Sequence, residues 1–586
     1  MTPKSKQQSR KTQVDRIGNL VMRLHELRRR FDRTSADKKL ALLQNLRVAN
    51  TADAGMLLAY HDILSFMRAY PDNAGILATV ERELRDFGKR VEHYRQNSRD
   101  RDAQKLLNSG MADTLVWYAF GYETSRHLLK WYPKAVEIDW DNVEEDADFN
   151  TTDLLQLLVA WQENDALDND WTLETSEWFE IARGRKTHSS LGTLCKLFEN
   201  SPLPHNAQEY LFEKLELPIS WDLTDSPASR STKRLPSGKM FYQRRPLRGR
   251  TTDLRTELAR PPAPLRPLSL REGHKHVRSI NEVLAVRTRE LQPLTYASPE
   301  EVYLYEPGRG VQIFIYGARP EMRLPLESNF GAMLVRNGLP VGYGVGAVLF
   351  DRVEIAINVF PAFRSGESSF IIEQFFQLFH HHFGSNVLLV RSRQMGDGDN
   401  EPLQSGAFWF YYKLGFRAIN PKVRRLAEQE HEVIRKNKGY RSSIRTLKRL
   451  AKSDVFFHID PSKMDSYREF PIVSLGYVVT KFFARDFDGD RRVGTQSSMS
   501  EVRRRLGIRS LDRWSTDEIT AFERMAPVLA NIPDLEDWIV RERASLVRII
   551  RAKGSAHERE FVLLSNQHTK FKAALEKLAQ SYDSAE

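Results

Sequence analysis

Residues 353–384 read VEIAINVFPAFRSGESSFIIEQFFQLFHHHFG. The stretch opens on an apolar run of strand length, Val353–Val359. It turns through Phe363-Arg364-Ser365-Gly366-Glu367-Ser368-Ser369 and ends in apolar residues spaced three and four apart. A short β-branched run, a polar turn and a helical period make a strand–turn–helix unit. The turn admits two readings. It is a plain connection, or it holds a phosphate on the amides that open the helix, where the helix dipole favours an anion.

Outward from this unit the strand texture continues. EVYLY (301–305), VQIFIYG (311–317), GAMLVRN (331–337), LPVGYGVGAVLF (339–350) and RVEIAINVF (352–360) are short β-branched or aromatic runs broken by Gly, Pro and Asn. Asn337-Gly338 between two apolar runs predicts a two-residue type I′ hairpin. Downstream come the strand NVLLVRS (386–392), a polar loop (393–405) and the helix GAFWFYYKLGF (406–416). Residues 271–420 therefore read as an α/β (α+β) domain, a mixed sheet with helices. Residues 15–224 and 421–586 read as all-helical flanks, from stretches such as RIGNLVMRLHELRRRF (16–31), AGMLLAYHDILSFMRAY (54–70) and TTDLLQLLVAWQEN (151–164). The acid run DWDNVEEDADFN (139–150) reads as an exposed loop, and residues 1–14 as a disordered tail.

The chain has 586 residues, a net charge of +11 and one cysteine, Cys195, on an apolar face. One cysteine permits no intrachain disulfide, and no uncharged apolar run reaches membrane-spanning length. With no signal-peptide pattern at the N-terminus, a cytoplasmic location is expected. The positive excess concentrates in residues 225–270, which are rich in Pro and Arg. These read as a solvated linker or as a contact for nucleic acid or an acidic protein.

Three motif-like patterns lack the context their chemistry needs. Gly342, Gly344 and Gly346 lie within one arm of a hairpin, where a dinucleotide loop would need a helix to follow. Asp486, Asp488 and Asp490 have calcium-loop spacing, but Arg491 stands where Gly is required and Ser497 where Glu is required. His380, His381 and His382 are adjacent on a helix and point in different directions, so no metal site is expected there.

Between residues 326 and 420 the sequence resembles the GCN5-related N-acetyltransferase (GNAT) superfamily. The resemblance rests on NGLPVGYG as a central hairpin, VEIAINVFPAFRSGESS as a strand and pyrophosphate loop, and AFWFYYKLGFR as a late helix with Ala407, Tyr411, Gly415 and Phe416 at the family's positions. It implies a cofactor, acetyl-CoA or another acyl-CoA, lying in a V between two splayed strands. Ile357, Asn358 and Val359 would meet its pantetheine, and Arg364, Ser365, Gly366, Ser368 and Ser369 its pyrophosphate. Tyr411 would protonate the departing thiolate, and Glu354 would take the proton of the amine. The loop departs from the family pattern: it carries a single early glycine, and Glu367 places a negative charge beside the phosphate. The alternative expectation is a non-catalytic interaction protein that binds a protein or nucleic acid through its helical arms and basic linker.

Overall fold

Capping side chains set the helix starts of the N-terminal region. Asp32, Asp53 and Asn73 each accept a backbone amide at the start of the helices Arg33–Arg47, Ala54–Ala69 and Ala74–Arg85. Each cap satisfies one of the amides that a helix start leaves unpaired. This is a computed structural model, and it describes residues 16–49, 53–97, 104–159, 173–183, 189–249 and 253–583. The tail 1–14 lies outside them. No helix among the described residues is long and apolar enough to cross a membrane.

The N-terminal region is not all-helical, as its periodicity implied. β1 (Leu115–Tyr118), β2 (Val136–Ile138) and β3 (Ile219–Asp222) form an antiparallel sheet in the order β1-β3-β2. It has a core of its own around Trp221, Tyr122 and Phe198. Strands of three or four residues are too short to show a period of two. The acid run 139–150 is not a loop either: it turns through Trp140–Asn142 and enters the helix Glu145–Leu158.

The main sheet comprises β4 (Leu265–Pro267), β5 (Ala297–Gly308), β6 (Val311–Ala318), β7 (Ser328–Arg336), β8 (Leu339–Leu349), β9 (Arg352–Val359), β10 (Val387–Val390), β11 (Arg417–Ala418) and β12 (Val455–His458). Their order is β11-β12-β10-β9-β8-β7-β6-β5-β4. β5 to β9 form an antiparallel meander. Asn337 and Gly338 join β7 to β8, both at positive φ (49° and 79°), as a type I′ turn demands. β9 and β10 run parallel, and the helix Ser368–Phe383 makes the crossover that parallel strands need.

The glycines of β8 make room for that helix. A Cβ on Gly346 would lie 2.1 Å from the Phe379 ring, and one on Gly344 would lie 3.1 Å from Phe375. β12 lies beyond residue 420, in a region read as helical, yet it inserts between β10 and β11. The helices after residue 470 share the sheet's core through Phe522, Leu546 and Phe571.

The stretch 225–270, read as an extended linker, is largely fastened down. The Leu235 amide donates to Gly338 O at 2.8 Å, and the Gln243 amide to Pro71 O at 2.8 Å. Arg230 pairs with Asp62, Lys233 with Glu282 and Arg234 with Glu81. These cations are therefore committed within the chain, not held free for an acidic partner. The segment also supplies the helix Leu254–Leu258 and the edge strand β4, where Pro267 leaves no inner ladder position without its amide.

Candidate functional site

The parallel register of β9 with β10 joins Arg352 to Val387, Val353 to Leu388 and Glu354 to Leu389, and stops there. β9 itself continues to Val359, paired only with β8 on its other edge. The Phe360 amide donates to Val341 O at 2.9 Å. By strand alternation, the peptide groups of Ile357 and Val359 then turn toward the parted side. Beyond the mouth of this opening, the helix Ser368–Phe383 starts with no side-chain cap.

The polar turn is held by contacts far apart in sequence. Arg364 donates from Nε to Val359 O at 3.0 Å and from Nη1 to Glu401 at 2.6 Å. Ser365 Oγ accepts from Arg28 Nη2 at 3.1 Å. Ser368 Oγ donates back to Arg364 O at 3.2 Å, while Ser369 is half-buried on the first turn of the helix. Gly366 has a packing reason, since a Cβ there would lie 2.5 Å from the Tyr70 hydroxyl.

Glu367 does not face a phosphate. Its carboxylate is buried, takes Arg336 Nη1 at 2.6 Å, pairs with Arg309 and accepts the Arg248 amide at 2.8 Å. The Glu367 amide donates to the Tyr70 hydroxyl at 3.0 Å. Burial disfavours the Glu367 anion, but the bonds from Arg309, Arg336 and the Arg248 amide outweigh it and hold the carboxyl below its usual range. Arg336 lies under Tyr70, 4.3 Å from the ring centre. The sequence carried one sign of this clamp: Arg336 is a lone charge closing the apolar run GAMLV. Nothing local pointed to Tyr70, Arg28 or Arg309.

Tyr411 is buried on the helix Ala407–Lys413, against Phe410 and Phe416. That helix packs on the turn Ser392–Met395, which follows β10. Burial pushes the Tyr411 phenol up to about 12, so it keeps its proton at neutral pH. Glu354 is not a free carboxylate. It accepts Arg391 Nε at 2.6 Å, and Arg391 also pairs with Asp454 and Glu469. The Asn358 side chain lies on the sheet face away from Phe375 and donates to the Tyr343 hydroxyl at 3.0 Å, so only its backbone belongs to the strand edge.

The patterns set aside have structural roles. His380, His381 and His382 each bond a different backbone oxygen, those of Ser385, Leu258 and Ala263. Asp488 ends one helix in the left-handed region, and Asp490 caps the next by accepting the Val493 amide. Among the described residues, the donors Glu123, His205 and Glu209 come together, but Glu123 is already bridged to Arg126 and Arg319. No protein-family model, no curated protein and no solved structure matches this chain.

Proposed function

We propose that this chain is an acyl-CoA-dependent N-acyltransferase built on a GNAT-like sheet. The observation that carries the reading is the parting of β9 from β10 beyond Glu354, which leaves the Ile357 and Val359 edge without a strand partner, while a buried, protonated tyrosine lies on the helix packed against the turn that follows β10. A strand edge of this kind pairs an extended amide chain such as pantetheine. The fit is good along the strand and altered at the turn: Glu367 is neutralised by two arginines and does not repel an anion, while Arg364 lies exposed at the mouth. Acyl-CoA supplies the activated thioester.

The chain's own groups divide the work. The Val359 amide polarises the thioester carbonyl where negative charge develops. The amine nitrogen bonds to that carbon as the C–S bond breaks. Tyr411 gives its proton to the sulfur, and the proton of the amine leaves through water or through Glu354 once Arg391 shifts. The test is thioester cleavage by the wild type and by Tyr411→Phe with acetyl-CoA and a pool of amines. Loss of the hydroxyl should slow turnover by about 10²–10⁴. Equal rates in both proteins overturn the role of Tyr411.

One observation favours a second reading. Tyr70, Arg28 and the buried Glu367–Arg336 pair fasten the turn to the N-terminal helices, as an inert scaffold would. A non-catalytic interaction protein then results, and it would cleave no thioester with any amine, even where it binds acyl-CoA.

A further inference from the structure

On the sheet face away from Phe375, a cleft of about 280 Å³ opens between the N-terminal helices, the strap 225–249 and the ends of β8 and β9. Four guanidinium groups line it: Arg230, Arg287, Arg289 and Arg364. Only two carboxylates face them, Asp62 and Glu401. Both are committed, Asp62 to Arg230 at 2.6 Å and Glu401 to Arg364 at 2.6 Å. Arg287 and Arg289 therefore remain as two positive charges that no carboxylate in the cleft neutralises.

Arg287 is held in place without being neutralised. It donates to Val283 O at 2.8 Å, and its guanidinium lies 4.2 Å from the centre of the Phe360 ring. Burial and the nearby Arg230 both lower its affinity for a proton, and Asp62, already paired with Arg230, offsets them only in part. The turn through Thr288, at φ 51°, sets Arg289 at the same rim. The Tyr343 hydroxyl accepts from Asn358, which leaves its own proton to donate into the cleft. Two guanidinium forks and one hydroxyl donor suit a tetrahedral dianion better than a single carboxylate.

We propose that this cleft binds a small molecule bearing a phosphate dianion, through Arg287, Arg289 and the Tyr343 hydroxyl. The free ion and a phosphate monoester share this chemistry, and the cleft has room for a small organic body besides. The cleft shares Asn358 with β9 and Arg364 with the polar turn, but Arg287, Arg289 and the Tyr343 hydroxyl are none of the groups proposed for acyl transfer.

Calorimetric titration of the full chain tests it, with inorganic phosphate and phosphoethanolamine as probes and acetyl-CoA titrated separately. Saturable phosphate binding is expected in the wild type, weakened at least about tenfold in Arg289→Gln and further in Arg287→Gln. Tighter binding of phosphoethanolamine assigns the site to a monoester, and equal or weaker binding assigns it to the free ion. Arg289 is exposed, so its variant keeps the test valid if Arg287→Gln folds poorly. No saturation by about 10 mM, or equal affinities in wild type and Arg289→Gln, overturns the proposal. Acetyl-CoA affinity that falls in parallel with phosphate affinity also overturns it, by making the cleft the cofactor's own subsite. Acetyl-CoA binding that is unchanged in the variants leaves the acyltransfer reading standing whichever way phosphate behaves.

Discussion

Replacing Glu367 with Gln removes one charge and almost no volume from the clamp beneath the polar turn. In the folded chain that charge answers Arg336, which is 0 % exposed, and Arg309, which is partly exposed. Arg336 has one other side-chain partner, Gln243 Oε1 at 3.0 Å, so the variant leaves a buried guanidinium facing only neutral acceptors. Removing one member of a buried ion pair costs about 3–5 kcal/mol, and the partly exposed Arg309 loses its contact with that charge as well. Urea titration followed by tryptophan fluorescence should show a midpoint lowered to that extent. Arg336→Met in the same background should recover part of the loss, because no unpaired charge then remains. The pH dependence has a fixed sign: the folded carboxyl is held below its ordinary range, so its stabilisation is complete at neutral pH and drains away only as the pH falls below about 4. A loss under about 1 kcal/mol at neutral pH, or a double variant weaker than the sum of the singles, refutes the clamp.

Four further outcomes are expected. Tyr70→Phe removes the acceptor of the Glu367 amide and should cost about 0.5–1.5 kcal/mol by the same urea assay. Gly366→Ala drives a methyl into the Tyr70 ring, which is itself stacked on Phe66, and should cost about 1–3 kcal/mol, relieved when combined with Tyr70→Ala. Tyr411→Phe should leave the urea midpoint nearly unchanged, since its hydroxyl has no hydrogen-bond partner among the described residues, whereas Tyr411→Ala should cost about 3–5 kcal/mol. Burial pushes the Glu301 carboxyl up to about 7, against the pull of Arg323. The folded state thus holds that proton longer than the unfolded one, so wild-type stability should fall as pH rises from about 4 towards 7, and Glu301→Gln should flatten that slope in calorimetric scans.

What the sequence revealed was local. Asn337-Gly338 dictated its turn because a type I′ hairpin needs two residues at positive φ. The run from Val353 to Phe383 declared a strand and a crossover helix because its period changes from two to 3.6 at Ser368. What stayed hidden was short or distant. β12 has four residues and joins the sheet beside β10, far back in the sequence, so no window could assign it. Pro267 disguised an edge strand as linker. The arginines of the strap looked free because their carboxylates, Asp62, Glu81 and Glu282, lie on elements distant in sequence. At the candidate site, Tyr411 and the Ile357–Val359 edge were named through the family resemblance of residues 326–420. The Tyr70–Glu367–Arg336 clamp could not, because it is made only when the N-terminal helices dock on the turn.

The central claim is that the parted edge of β9 takes an acyl-CoA. Titration calorimetry of the full chain with acetyl-CoA tests it most directly. Saturable binding with a stoichiometry near one is expected, weakened at least about tenfold by Val359→Pro, which removes the amide facing the opening while leaving the β8 pairing of that strand in place. No heat of binding at millimolar acetyl-CoA, or binding that Val359→Pro leaves unchanged, contradicts it.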